Sequence, residues 1–460
     1  MSLVTSFHSS TMTTLSNLPG ELISQIVSLS ILNKRTDVCS LRLVSRSLND
    51  WATPTLFSTL VLKFANSSDF TRCLDIVTAL ASGSTRVFEH TRELQFSSHH
   101  LFQGRGNVSI IQVLLENIFN AISALRSLET VNWFYYPRYD PVGLANAFTR
   151  ALGTIPTFHS FGGLYILTAP PPTFSLQPLS GLRAITCSSG WQGPHLISEI
   201  ASLLARCPDI SCFRFNGDSF ARFADLFAEV NKSGQSLPLK RLCLAEVSVI
   251  ADDIENNIRH LRCLESLSIS RNLKNSATAS EEIYTVLGRH DVFLKELNVE
   301  INPFILDYIA SYSGLRDLRL AVGHPSLEDS PAVVDRFYKG LLPLHQETLE
   351  QLEIVSTLPS VWTKLPSMDH LREVAKCRRL RRLTIWSGVD EAKPERSYIA
   401  ACDAWLTVGA QLPELTDLCI KFPSDAPPFE DPEVDAGDLL LAALSRIRRE
   451  TGKRFLVNSL

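Results

Sequence analysis

Cys207 and Cys212 in CPDISC, the pair His99–His100, the glycine loop QGRGN at 103–107 and the basic run KCRRLRR at 376–382 are the residues whose types could do chemistry. A zinc site draws on two ligand pairs at short fixed spacing, and CPDISC has four intervening residues and no second pair. His99–His100 has no Cys or carboxylate at ligand spacing, and QGRGN has neither a strand before it nor a Lys after it. No G-x-S-x-G, P-loop or G-x-G-x-x-G occurs. The expectation is therefore no catalytic residue, no metal and no cofactor, with the ten cysteines as structural or incidental thiols. In KCRRLRR, Lys376, Arg378, Arg379, Arg381 and Arg382 gather near one strand edge. Such a cluster either reads an acidic or phosphorylated segment or is neutralised by Glu373 and the acidic residues of the following repeat.

Composition narrows the partners. The formal charge is -4, so no overall basic field argues for nucleic acid or for an anionic membrane surface. No uninterrupted apolar run approaches the ~18 residues of a spanning helix. The N-terminus, MSLVTSFHSSTMTTLSN, lacks both the features of a secretory signal and the arginines of a transit peptide. Reduced thiols and a cytoplasmic or nuclear location are expected. With 45% hydrophobic and 20% charged residues over 460 positions, there is apolar material for a large core.

What would position these residues is a repeat. Apolar residues at positions 1, 4 and 6 return in FSTLVL (Phe57, Leu60, Leu62), LKRLCL (from Leu239), LESLSI (from Leu264), LKELNV (from Leu294), LRDLRL (from Leu315), LEQLEI (from Leu349), LRRLTI (from Leu380) and LTDLCI (from Leu415). Weaker copies surround Leu94, Val131, Ile185 and Phe213, and GGLYI (Leu164, Ile166) marks one more inside the irregular stretch 154–178. The middle positions 242, 267, 297, 318, 352, 383 and 418 are 21 to 35 residues apart, a loose, long-repeat spacing. Between copies, Ile197, Ile200, Ala201 and Leu204, then Ile283, Val286 and Leu287, then Val334, Phe337 and Leu341, carry helical spacing. Each unit thus reads as strand, turn, helix. In L-x-L the two leucines share one strand face and the residue between them takes the other, so stacked units bury the leucines and align the intervening residues on a solvated sheet face. That face carries Arg319, Glu353, Arg382, Thr384 and Trp386, the candidate substrate-binding residues. Trp386 stands out as a large aromatic on a solvated strand, either an interface anchor or a side chain packed on its neighbours.

Ahead of the repeats lies LPGELISQIV...DVCSLRLVSRSLNDWATPTLF. Pro19 suits a first helical turn capped by Ser16 or Asn17, Glu21 suits its positive end, and Leu22, Ile23, Ile26 and Val27 form an apolar stripe. A second helix is expected from Thr36 or Asp37, burying Val38, Leu41, Val44 and Leu48, with Pro54 stopping the helix before the first repeat. Three short helices over ~45 residues expose more apolar surface than they cover among themselves.

This stretch, residues 15–62, resembles an F-box, whose pattern is a Leu-Pro pair with Glu-Leu and Ile along the first helix and an "sl.lVsr" second helix. The resemblance implies a substrate receptor of a cullin-RING (SCF-type) ubiquitin ligase: the F-box docks the adaptor subunit, and through it a cullin, while the C-terminal leucine-rich repeats hold the protein to be ubiquitinated. The adaptor-facing set so implied is Leu18, Pro19, Glu21, Leu22, Ile26, Leu41, Val44 and Ser45. Transfer would be done by other subunits, so this chain would be a non-catalytic receptor.

The expected architecture is α/β: a tail at 1–14, the short three-helix F-box at 15–62, and a curved leucine-rich-repeat-like solenoid at 63–460, strands inside and helices outside. A helix at 439–449 and a strand around Phe455 would close the array. Two other readings stay open: a repeat scaffold that binds a protein partner without a ligase, its head a mere cap, and a hydrolase of unfamiliar motif.

Overall fold

A strand with leucines at alternate positions can bury only one face, and the structure meets that constraint by laying such strands side by side. The computed structural model describes residues 20–23, 25, 27, 39, 40, 42–64, 67–97, 108–136, 143–166, 173–189, 194–217, 221–270, 277–322, 330–356, 361, 362, 367–386 and 394–421. The chain divides into two compact units, 1–207 and 208–460.

In the first unit, helical residues at 20–23, 25, 27 and 39–40 precede α1 (Arg46–Leu56), β1 (Thr59–Lys63), α2 (Ser67–Ala81), β2 (Glu93–Ser97), α3 (Val108–Ser123), β3 (Thr130–Tyr135), α4 (Leu144–Leu152), β4 (Ser160–Ile166), β5 (Ala184–Ser189) and α5 (Pro194–Arg206). The second unit runs β6 (Cys212–Asn216), α6 (Phe223–Ser233), β7 (Arg241–Ala245), α7 (Ala251–Leu261), β8 (Ser266–Ser270), α8 (Ala277–Arg289), β9 (Glu296–Glu300), α9 (Pro303–Ala310) and β10 (Asp317–Val322). It continues through α10 (Pro331–Asp335), a π-helical turn (Arg336–Leu341), α11 (Leu342–His345), β11 (Gln351–Ser356), α12 (Met368–Ala375), β12 (Arg382–Trp386), α13 (Pro394–Gln411) and β13 (Asp417–Lys421). Within each unit the strands lie in chain order and pair in parallel, the outcome of repeating strand–helix units.

Register turns the sequence pattern into layers. Leu242, Leu267, Leu297, Leu318, Leu352, Leu383 and Leu418 are successive partners, all buried. In the first unit Leu62, Phe96, Trp133, Leu164 and Cys187 make a buried row one inward position further along the strands. There the larger side chains pack on α4, where the Phe148 ring sits 4.7 Å from Phe96 and 4.8 Å from Trp133. Just before each strand a single carbonyl takes two amides of the next repeat. Arg92 and Glu93 N–H donate to Ser58 O at 2.8 and 2.9 Å, and Arg316 and Asp317 N–H to Lys295 O at 2.7 and 3.0 Å.

Parallel strands force long crossovers whose loops carry backbone amides into the core, and these need partners. Buried polar side chains on the helices reach back to supply them. Leu237 N–H donates to His260 Nδ1 (3.0 Å), Leu294 N–H to the Tyr308 hydroxyl (3.2 Å) and Leu315 N–H to His345 Nδ1 (3.3 Å). Each side chain satisfies the loop that enters its own repeat's strand. Helix starts follow capping chemistry: Asn302 Oδ1 accepts from Ile305 N–H at 2.8 Å with Pro303 in the first turn, and Ser330 and Ser367 cap α10 and α12.

Two local expectations are corrected, both in the head, and a third is met. Pro54 lies inside α1, near its end, where its missing N–H removes one bond and the helix runs on to Leu56. The head's second helical stretch is broken: residues 39–40 are helical, 42–44 form a turn, and a new helix starts after Ser45, which leaves Val44 exposed instead of buried. The stretch 154–178 holds a full strand, β4, whose irregular look in the sequence comes from a register shift at Gly162–Gly163 against both neighbours. The expected closing helix 439–449 and the strand at Phe455 lie outside the described residues. Among the described residues no helix is long and apolar enough to cross a membrane.

Candidate functional site

Two surfaces answer to the candidate residues, one on the helical head and one on the second unit's sheet. In the head, Ile23 and Val27 sit one helical turn apart and pack with Leu48, Ala52 and Leu56 of α1 into a small closed cluster, with Phe57 against it. Ser45 starts α1 by accepting from Leu48 N–H at 3.2 Å. Gly20 lets the first helix meet α1 closely, since a Cβ there would lie 2.8 Å from Trp51 Cζ2. Arg42 Nε donates to Asn49 Oδ1 at 2.9 Å, and its guanidinium rests 5.1 Å from the Phe57 ring centre.

That inner cluster uses one stripe of each helix and leaves four other described apolar side chains of the head outward. Leu22 is 45% exposed, Leu43 89%, Val44 64% and Trp51 42%. Glu21 is exposed too. Of the adaptor-facing set, Leu22 and Val44 are thus solvated apolar groups, and the Ser45 hydroxyl oxygen is engaged as a helix cap. Leu18, Pro19, Ile26 and Leu41 lie outside the described residues. Leu43 is not in the set; it stands between Arg42 and Val44 in LRLVSR, within the turn 42–44, and helical spacing counted from Leu41 gives no sign of its exposure.

On the second unit's sheet, Arg319 of β10, Glu353 of β11 and Thr384 of β12 are successive register partners, and Arg382 and Trp386 flank Thr384 on its own strand. All five candidate residues therefore share one sheet face. Much of their charge is spent within that face: Arg319 Nε lies 3.3 Å from Glu353 Oε2 and Arg382 Nε 3.5 Å from Asp417 Oδ2. Trp386 is half-buried, with Lys421 Nζ 5.4 Å from the centre of its ring. Its Nε1 is covered and has no hydrogen-bond partner among the described residues. At the start of β10, the Asp317 carboxyl is pushed above its ordinary range by burial and then by the neighbouring Glu296 and Glu350.

The basic run is largely answered by acids. Lys376 pairs with Glu373 at 2.7 Å, Arg381 with Glu414 at 3.2 Å, and Leu380 between them is buried. Arg378 and Arg379 are exposed and have no acidic partner among the described residues. As for the thiols, burial pushes Cys187 and Cys377 up to about 12 and Cys402 to about 11, far from the thiolate range. Cys207 is buried, and no group of three metal-ligating side chains occurs among the described residues. His99–His100 and QGRGN lie outside the described residues.

No protein-family model matches the chain, and no curated protein is detectably similar to it.

Proposed function

We propose that this chain is the substrate-recognition subunit of an SCF-type ubiquitin ligase, an F-box head followed by a leucine-rich-repeat-like solenoid. One observation carries the reading: the head closes a small core of its own and still turns Leu22, Leu43, Val44 and Trp51 to solvent. Fully burying a leucine or valine side chain gains about 1.5–3 kcal/mol, so a surface that covers these groups has a driving force no internal contact uses. Glu21 and Leu22 of LPxEL and Val44 and Ser45 of LVSR, residues that carry the F-box resemblance, are the described members of those motifs that lie at or beside this apolar face, which supports the reading. In the same reading the repeats hold the protein to be ubiquitinated against the β10–β12 face around Arg319, Glu353, Thr384 and Trp386, and the chain acts by raising local substrate concentration, with no catalytic group of its own. It would work in the cytoplasm or nucleus, where the adaptor and cullin are met.

The test is direct binding of purified ligase adaptor to the full chain. Wild type binds, while a Leu22→Asp, Val44→Asp variant, altered only at exposed positions, keeps its unfolding midpoint and loses the adaptor. Equal binding by both proteins, or none by wild type, overturns the ligase reading and leaves a repeat scaffold as the better account.

A further inference from the structure

The first strand of the first unit has an open edge. β1 pairs with β2 alone among the described residues. Arg92 and Glu93 N–H donate to Ser58 O, and Phe64 N–H donates to Ser97 O. In a parallel pair every second residue bonds to a given neighbour, so positions 58, 60, 62 and 64 are committed to β2, and Thr59, Val61 and Lys63 turn their backbone groups the other way. The Lys63 carbonyl accepts from Cys73 Sγ at 3.6 Å. The outward amides of Thr59, Val61 and Lys63, with the carbonyls of the first two, have no partner among the described residues.

A groove of about 410 Å³ touches Thr59, Leu60 and Val61 in succession. Leu60 points into the core and Val61 to the opposite, solvated face. A groove that meets both must run along the strand's edge. Its lining includes the apolar Leu56 and Ile76, and among the described residues the only charged side chains that line it are Arg42 and Arg72, in a chain that is acidic as a whole. Open edges are commonly blunted by proline or by charge; β1 has no proline, and its one charged residue, Lys63, stands at its end, clear of the Thr59–Val61 stretch that the groove touches.

We propose that this edge is a docking site for an extended segment of a partner protein in which acidic residues alternate with apolar ones. The main chain of the segment would continue the sheet past β1, its apolar side chains would fill the space before Leu56 and Ile76, and its carboxylates would meet Arg42 and Arg72. The groove's lining includes none of Leu22, Leu43, Val44 and Trp51, the exposed apolar side chains of the head.

The experiment uses the full chain and a labelled peptide alternating valine with glutamate, against the same peptide with lysine in place of glutamate. The glutamate peptide binds and slows hydrogen exchange at the Val61 and Lys63 amides; the lysine peptide does neither. Val61→Pro removes an outward amide and no bond to β2, so the fold persists while binding weakens on the order of tenfold. Arg72→Glu weakens the glutamate peptide and strengthens the lysine one. The proposal is overturned if the two peptides bind alike or not at all, or if Val61 is already as protected as Leu60 and Leu62 in the free chain. Protection of Val61 that grows with protein concentration and vanishes in Val61→Pro would instead mean that the edge pairs with a second copy of the chain.

Discussion

The Arg319 guanidinium spans one strand spacing to Glu353, Nε to Oε2 at 3.3 Å, and the two ends of the pair are unequally wet: the Arg319 side chain is 50% exposed, that of Glu353 only 12%. Removing the arginine strands a shielded carboxylate, whereas removing the carboxylate frees an arginine that water already solvates. Arg319→Ala should therefore lower stability by about 1 kcal/mol, and Glu353→Gln by clearly less. Urea unfolding midpoints of the two variants check this. Equal midpoints would reduce the pair to an ordinary surface contact.

Acid should loosen the second unit through its buried histidines. Burial, helped by the adjacent Arg259, pushes His260 down to about 4, and burial lowers His345 as well. Both accept a backbone amide at Nδ1, so both are held neutral in the fold. An unfolded histidine titrates near 6.5. Between that value and about 4 the unfolded chain binds the extra proton and the folded chain does not. The stabilisation is thus complete above about 6.5 and is lost progressively as the pH falls toward 4. Urea midpoints at neutral pH and near 5 should separate, and His260→Gln, which keeps an acceptor without the titration, should bring them closer.

The close approach at Gly163 explains why one repeat was hard to read. A Cβ there would stand 2.2 Å from the Tyr165 ring, which is stacked on Phe134 at 4.5 Å with 8° between the planes. Gly163→Ala should cost more than about 1 kcal/mol and dissolve that stack, visible as a lost near-ultraviolet circular dichroism band along with a lower unfolding midpoint.

The repeat was legible because period 2 in the strand and 3.6 in the helix leave independent marks, and stacking repeated them: Leu242 through Leu418 fell into one register row as their spacing implied. β4 was blurred because GGLYI spends an extra residue at the register shift, so its apolar positions slip against the pattern. In the head, Pro54 read as a stop because sequence carries no sign that a proline close to a helix end costs a single bond. Val44 looked buried by helical spacing counted from Leu41 and Leu48, but the chain turns between the two, and spacing across a break has no meaning. The pairing of Arg319 with Glu353 and of Arg382 with Asp417 was hidden for another reason: cross-strand partners are 34 or 35 residues apart, and only the register brings them together.

Stability and docking should come apart in the head. Its cluster of Ile23, Val27, Leu48, Ala52 and Leu56 is small, so its amides should exchange by local opening well before those of the central strands. Ser45→Ala removes the oxygen that accepts from Leu48 N–H and should cost α1 about 1 kcal/mol. Exchange at Leu48 to Leu56 should then accelerate about fivefold, since that energy biases the local opening equilibrium directly. Leu43→Ser, at a side chain almost wholly in water, should leave the same amides unchanged and yet weaken adaptor binding. Hydrogen exchange and adaptor titration on both variants decide it: if Leu43→Ser accelerates exchange as much as Ser45→Ala does, Leu43 belongs to the head's own packing and the outward face is smaller than its exposure suggests.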